Sequence, residues 1–341
     1  VCRLLARLYL AVHKRTFARR LQNSRSFPGH RIISVGNLSA GGTGKTPVTI
    51  ELALALLSQR KSVLICLRGY KGRSRSGLLV GDERGVHLTA EHAGDEAVLI
   101  AVRLLEYARL HEGARFAVAA GPDRADLIDR FGAQRDVVIL DDAFQNPSVR
   151  RDLDIVLIDA TVPYSRMILL PCGRFREDLT ALERADVVLL TRTNLAPDSA
   201  LIWKRLIKDR YPNLPIFSIG IRTHRISAPL APDGRAQSVA AFCGIGNPDS
   251  FFRVLEEAGI DVAKRFVFKD HHRFNERDLA VLKGCGLPLV TTEKDAARLG
   301  ERLASLGRVL VVRPEIYDAD RNDETRLWSR LTSLTERQAQ E

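Results

Sequence analysis

Cysteine is sparse and scattered: Cys2, Cys66, Cys172, Cys243 and Cys285 are all the cysteines in 341 residues. None makes a Cys-x-x-Cys pair or a Cys/His cluster at ligand spacing, which argues against a structural metal centre. An odd, widely separated set is also no disulfide framework, so reduced thiols in a cytosolic protein are expected. Long apolar runs are missing too, and nothing approaches the ~20 residues that span a bilayer. There is no internal repeat. Acidic charge is in deficit, 41 residues against 52 Lys and Arg, and the net +11 calls for an acidic partner. Composition leaves three classes open: nucleic acid, an anionic membrane surface and a phosphorylated substrate.

What remains is an ordinary globular composition, 45% hydrophobic and 27% charged. Its length exceeds what one hydrophobic core usually serves, which predicts two domains. The stretch that organises the chain is Ile32-Ile33-Ser34-Val35-Gly36-Asn37-Leu38 followed by Gly41-Gly42-Thr43-Gly44-Lys45-Thr46-Pro47. An apolar β-branched run, a glycine-rich turn and then helical periodicity over 48–57 read as strand, phosphate loop and helix. Glycines let successive N–H groups converge on an anion at the helix's positive end. Lys45 would reach the β/γ-phosphates and the Thr46 hydroxyl would help hold Mg²⁺. The first consensus glycine is replaced by Ser39, but the rest of the motif is specific enough to predict nucleotide binding.

Upstream, Val1, Leu4, Leu5, Leu8 and Val12 recur at helical spacing among Arg3, Arg7, Lys14, Arg15, Arg19 and Arg20. A signal peptide would place its charges before an uninterrupted apolar core, and this segment does not. Residues 1–22 are either a basic amphipathic helix lying on a membrane or a helix packing its stripe on the domain.

Downstream, strand patterns alternate with helical ones. Residues 62–67 form a strand that ends in the basic, glycine-punctuated loop Arg68-Gly69-Tyr70-Lys71-Gly72-Arg73-Ser74-Arg75-Ser76-Gly77. Gly94-Asp95-Glu96 opens a helix, where N-terminal capping alone accounts for the two acids. Residues 115–121 are a strand, followed by Asp123-Arg124. Val137-Val138-Ile139-Leu140-Asp141-Asp142 has the form of the strand whose terminal carboxylate reaches Mg²⁺ beside a phosphate loop. Residues 153–159 repeat that form, so Asp159 competes with Asp141 and Asp142. After the strand at 186–191, Arg192-Thr193-Asn194 lacks the carboxylate with which GTP-binding proteins read guanine, which favours ATP. The alternation predicts an α/β fold, a doubly wound and mostly parallel sheet.

Prolines at 212 and 215 break the rhythm. They place a boundary between a nucleotide-binding domain over 1–215 and a smaller α/β domain over 216–341, joined by a strand-like connector at 216–226. The second domain is expected to have strands at 238–243, 262–268, 287–292 and 309–313. It should also have a helix over 248–258 and another capped by Asn275. Lys269-Asp270-His271-His272-Arg273 lies between strand and helix, either as a polar loop or as the source of a catalytic histidine.

These stretches together resemble the tetraacyldisaccharide 4′-kinases of lipid A biosynthesis. The resemblance runs from Ser34-Val35-Gly36-Asn37-Leu38 and the phosphate loop through Arg68-Gly69-Tyr70, Gly94-Asp95-Glu96 and Leu140-Asp141-Asp142-Ala143-Phe144-Gln145. It continues through Leu169-Leu170-Pro171, Arg176-Glu177, Phe242-Cys243-Gly244-Ile245-Gly246-Asn247-Pro248, Asp270-His271 and Thr291-Thr292-Glu293-Lys294-Asp295-Ala296. Ala97, Ala143 and Asn146 depart from the family's usual Pro, Gly and His.

The resemblance implies transfer of a phosphoryl group from ATP to the 4′-hydroxyl of an acylated glucosamine disaccharide 1-phosphate. The implied place is peripheral, at the cytoplasmic face of a Gram-negative inner membrane, with an anionic membrane surface and no nucleic acid as partner. It implies that Lys45 and Thr46 bind phosphates and Mg²⁺, with Asp141, Asp142 and Glu177 around the metal. Tyr70 and Arg124 would line the cleft, and Asp95 and His271 would activate the acceptor hydroxyl. The rival reading is a switch-type ATPase of the partitioning or metallochaperone kind. Ala40 stands where dimerising members of that class usually carry a lysine, and metallochaperone Cys/His clusters are absent. Nothing in the sequence sets an oligomeric state.

Overall fold

The run Arg31–Asn37 forms β1, which lies inside a ten-stranded sheet and is buried from Ile32 to Asn37. The structure, a computed structural model, describes residues 2–69, 77–223, 238–321 and 325–337. Tyr70 and the basic residues 71–75 lie outside the described residues. The chain opens with helix α1 (Cys2–Gln22), β1, α2 (Lys45–Ser58), β2 (Val63–Leu67), β3 (Leu78–Asp82) and β4 (Gly85–Val86). It continues with α3 (Ala90–Ala93), α4 (Asp95–Leu110), β5 (Phe116–Ala120), α5 (Arg124–Phe131), β6 (Val137–Asp141) and β7 (Leu153–Asp159). Next come β8 (Val187–Thr191), α6 (Pro197–Arg210), β9 (Ile216–Thr223), β10 (Val239–Cys243), α7 (Pro248–Glu257) and β11 (Val262–Val267). The last elements are α8 (Glu276–Lys283), β12 (Leu289–Thr292), α9 (Glu293–Leu299), β13 (Val309–Val312), β14 (Pro314–Asp318) and α10 (Thr325–Arg337).

The large sheet has the order β14-β9-β8-β7-β1-β6-β2-β5-β3-β4. Strands from β9 to β5 run parallel, and β14, β3 and β4 add antiparallel edges. Its interior strands are continuous apolar runs because helices cover both faces. Alternate residues of β2 feed opposite layers: Val63, Ile65 and Leu67 join the core with α2 and α4, while Leu64 and Cys66 join the α5 side. A second sheet, β11-β10-β12-β13, is parallel throughout. Phe251, Phe252 and Leu255 of α7 cover one face, and Leu279 and Leu282 of α8 cover the other. The doubly wound fold expected from the alternation is therefore present, with a smaller α/β unit beside it.

The division between units differs from the expected one at 215/216. β9 pairs in parallel with β8, Val188 against Ile216, and β14 returns to pair with β9. Leu327, Trp328 and Leu331 of α10 enter the same core as α2. The prolines at 212 and 215 mark a turn within the large sheet, and the small sheet is confined to 239–312.

One expectation about the N-terminal region also changes. Cys2 and Cys172 are disulfide-bonded with Cα atoms 5.9 Å apart, whereas Cys66, Cys243 and Cys285 are free. All five were expected to be reduced. α1 half-buries Tyr9, Leu10, His13 and Phe17, and Arg184 lies 4.5 Å over the Phe17 ring. The stripe Leu4, Leu8 and Val12 faces out, 72%, 61% and 58% exposed. Among the described residues no helix is long and apolar enough to cross a membrane.

Candidate active site

A cleft of about 610 Å³ opens between the two units, over the C-terminal ends of β1, β6 and β8. That is where open parallel sheets collect ligands. Its floor is the loop 41–46. Gly41 and Gly44 have φ of +111° and +91°, which a side chain would strain, so the glycines are required by the loop's curl. Asn37 Nδ2 donates to Thr43 Oγ1 at 2.8 Å, and Thr191 Oγ1 donates to the Thr43 carbonyl at 2.9 Å. The phosphate loop is thus fastened to the ends of two strands before any ligand arrives.

Asp141 and Asp142 sit beside it, and their environments separate them. Burial, reinforced by the charge of Glu96, pushes the Asp141 carboxyl up to about 7; Thr49 Oγ1 donates to its Oδ1 at 3.0 Å. Burial also works against ionised Asp142, but Lys45 and Arg176 outweigh it and hold its pKa at about 2. Lys45 Nζ is 3.5 Å from Asp142 Oδ1, and Arg176 donates to both oxygens at 2.9 and 3.2 Å. With the Thr46 hydroxyl the donor set is all oxygen. It suits Mg²⁺, which takes one or two carboxylates plus phosphate oxygens. Among the described residues no group of three His, Cys, Asp or Glu side chains assembles to hold a metal alone.

Across the cleft, His271 Nδ1 is 3.2 Å from Asp95 Oδ2. Asp95 opens α4 of the large unit, and His271 follows β11 of the small one. His271 takes a left-handed φ of +59°, and its N–H donates to the Gly244 carbonyl at 3.1 Å. His272 points elsewhere: its Nε2 is 2.9 Å from Asp278 Oδ2 and its ring stacks on Phe268 at 4.7 Å. Asp278 completes a capping box with Asn275, the helix start expected from the sequence.

The family model for tetraacyldisaccharide-1-P 4′-kinase matches residues 2–332. The chain belongs to that family. A tetraacyldisaccharide 4′-kinase of Anaeromyxobacter dehalogenans (strain 2CP-1) is 38% identical over 303 residues, 84% of this chain and 77% of the relative. One of Parvibaculum lavamentivorans is 36% identical over 284 residues, 81% and 75% of the two chains. The crystal structure of LpxK from Aquifex aeolicus in complex with ATP superposes with a TM-score of 0.71 at 27% identity, covering 97% of each chain.

Not every residue singled out for this kinase family reaches the cleft. Lys45, Thr46, Asp95, Asp141, Asp142 and His271 all line it, with Gly41 to Gly44. Arg124 does not: it is 3% exposed and donates from Nη2 to the Asp141 carbonyl at 2.9 Å, bracing the carboxylates from behind. Glu177 is also buried away from the cleft. Gln145 donates to it at 3.0 Å, Arg184 is ion-paired to it and His13 of α1 stands 3.6 Å away. Gln145 in turn accepts from Arg176 at 3.2 Å, so Glu177 supports Asp142 through two intervening side chains. Asn194 exchanges two hydrogen bonds with the Ile221 backbone, which fixes its amide against β9. Sequence reading missed Arg298, which touches Asp95; its only signal is the position two residues after the Glu293-Lys294-Asp295-Ala296 stretch.

Proposed function

We propose that the chain transfers the γ-phosphoryl group of ATP to the 4′-hydroxyl of tetraacyldisaccharide 1-phosphate, as a tetraacyldisaccharide 4′-kinase of lipid A biosynthesis. The observation that carries this reading is the opposition of two groups across one cleft: a phosphate loop with Asp141 and Asp142, and the Asp95–His271 pair. Lys45 and the loop N–H groups neutralise and orient the phosphates. Thr46, Asp141 and Asp142 would hold Mg²⁺, which would supply positive charge against the phosphates. His271 donates Nδ1–H to Asp95, which leaves Nε2 to accept the hydroxyl proton as the hydroxyl oxygen bonds to phosphorus and ADP departs. Glu177 acts by holding Gln145 and Arg176 in place. The large sheet carries the nucleotide, and the small one carries His271.

The outward Leu4, Leu8 and Val12 with the basic residues of α1 support peripheral docking on an anionic membrane, at the cytoplasmic face of the inner membrane where ATP is available. The test is incubation of the purified chain with ATP, Mg²⁺ and tetraacyldisaccharide 1-phosphate, with the 4′-phosphorylated product identified by mass. ATP hydrolysis indifferent to the acceptor, with no phosphorylated lipid, would favour the switch-type ATPase.

A further inference from the structure

Asp95 Oδ2 has more partners than a histidine needs for orientation. Besides His271 Nδ1 it meets Arg298 Nε at 3.1 Å, Arg298 Nη2 closer still, and Lys294 Nζ at 3.9 Å. Arg298 lies on α9 of the small unit with a side chain 8% exposed. Its Nη1 donates to the Gly244 carbonyl at 3.0 Å and to Asp295 at 2.7 Å. The same Gly244 carbonyl accepts the His271 N–H, and the Gly244 N–H is held by the fully buried Asp295 carboxylate at 3.1 Å. One guanidinium therefore grips both Asp95 and the backbone that supports His271.

We propose that Arg298 is a positioning residue for phosphoryl transfer: it seats His271 against Asp95 and offsets the Asp95 charge that His271 feels. This rests on the Asp95–His271 base reading above. An unopposed carboxylate at hydrogen-bond distance favours the protonated imidazole, which cannot accept a proton. With Arg298 and Lys294 on the same oxygen that pull is tempered, and Asp95 itself is a poor acceptor. Burial disfavours its charge, but His271, Lys294 and Arg298 together hold its carboxyl well below the usual range.

The other charges in the cluster are few. Asp270 Oδ1 lies 3.8 Å from His271 Nε2, and Glu96 accepts from Lys294 at 3.0 Å. Two more ion pairs hold the units together along α4, Arg103 with Glu293 and Arg313 with Glu106, each at 2.9 Å. Loss of the Arg298 charge alone leaves those pairs in place.

The experiment is the pH dependence of kcat for the wild type, Arg298→Gln, Arg298→Lys, Lys294→Met and His271→Ala. Arg298→Gln should move the acid limb to higher pH by about half to one unit. That lowers kcat on the acid side by about threefold to tenfold, the share of neutral imidazole lost. KM for ATP should stay within about twofold, since the phosphate loop is untouched. Arg298→Lys keeps the charge and should keep the limb near its wild-type position. Lys294→Met should shift it in the same direction by less, and it carries the test if Arg298→Gln does not fold. A limb unmoved or shifted downward in the neutral variants overturns the proposal, whatever happens to kcat. His271→Ala separates the two readings: a limb that survives it means the base was misassigned. A limb lost in His271→Ala but unmoved in Arg298→Gln removes only the role given to Arg298.

Discussion

Asp159 and Arg192 form a buried ion pair at the ends of β7 and β8, and Thr161 donates to the other Asp159 oxygen through its N–H and its hydroxyl. That carboxylate is taken up by structure, while Asp142 faces Lys45. Asp159→Ala should therefore cost about 3–5 kcal/mol of stability by stranding Arg192, with transfer per folded molecule within tenfold. Lys45→Ala should leave the melting temperature near wild type, Asp142→Ala should lower it modestly by stranding Arg176, and both should lower kcat by a factor on the order of 10² or more. Thermal melts and single-turnover transfer on the three variants decide it. Turnover preserved without Asp142 and lost without Asp159 would mean that the metal belongs to the other strand.

Glu177 predicts an acid-sensitive contribution. Burial opposes its charge, but His13, Arg184 and Gln145 prevail and lower its pKa from 4.5 to about 2. A depressed folded-state pKa gives stability that is whole above the unfolded value and lost as pH falls through the folded one. The contribution, about 3 kcal/mol, should disappear between pH about 4.5 and 2. Denaturant midpoints across that window should fall more steeply for the wild type than for Glu177→Gln. At neutral pH, Glu177→Gln should keep its Mg²⁺ requirement unchanged. A sharply raised requirement would return Glu177 to the metal.

The exposed stripe of α1 allows a sharper membrane test than deleting the helix, because Tyr9, Leu10 and Phe17 face the protein. Leu4→Gln, Leu8→Gln and Val12→Gln together should weaken binding to phosphatidylglycerol-containing vesicles at least tenfold with little change in melting temperature. Added salt should weaken the wild type as well, through screening of the basic residues. Cosedimentation unchanged by the triple substitution excludes this stripe as the docking surface.

Local signals carried the phosphate loop, the Asp141-Asp142 strand end and the Asn275 cap, because each is defined by neighbours within a few residues. The return of β14 and α10 to the large sheet was not legible. The apolar pattern of residues 216–223 says that a strand exists, not which edge it joins. Cys2 and Cys172 meet across 170 positions, a separation at which spacing carries no information. The family resemblance places Glu177 and Arg124 at the cleft, but packing turns both inward. At Asp95 the bland capping explanation and the catalytic one predict the same residue at a helix start, and only the facing His271 separates them.

That contact makes a direct test of shared function possible. If Asp95 orients His271, Asp95→Asn and His271→Ala should each lower kcat strongly, and the double variant should be little worse than the poorer single one. Groups that serve one step are non-additive in this way. Independent roles, a cap on α4 and a turn after β11, would add in ΔΔG‡ and appear mainly as lost stability. Asparagine is the right replacement at Asp95 because it keeps a hydrogen-bond acceptor for Arg298 and so preserves the docking of the small unit. His272→Ala is the control. It should cost about 1 kcal/mol through Asp278 and the Phe268 stack and leave kcat within about threefold, because its ring faces away from the cleft. Stopped-flow phosphoryl transfer at saturating ATP, with a thermal melt on each variant, separates these outcomes. Losses that multiply in the double variant, or a His272→Ala as damaging as His271→Ala, would take the base assignment away from the Asp95–His271 pair.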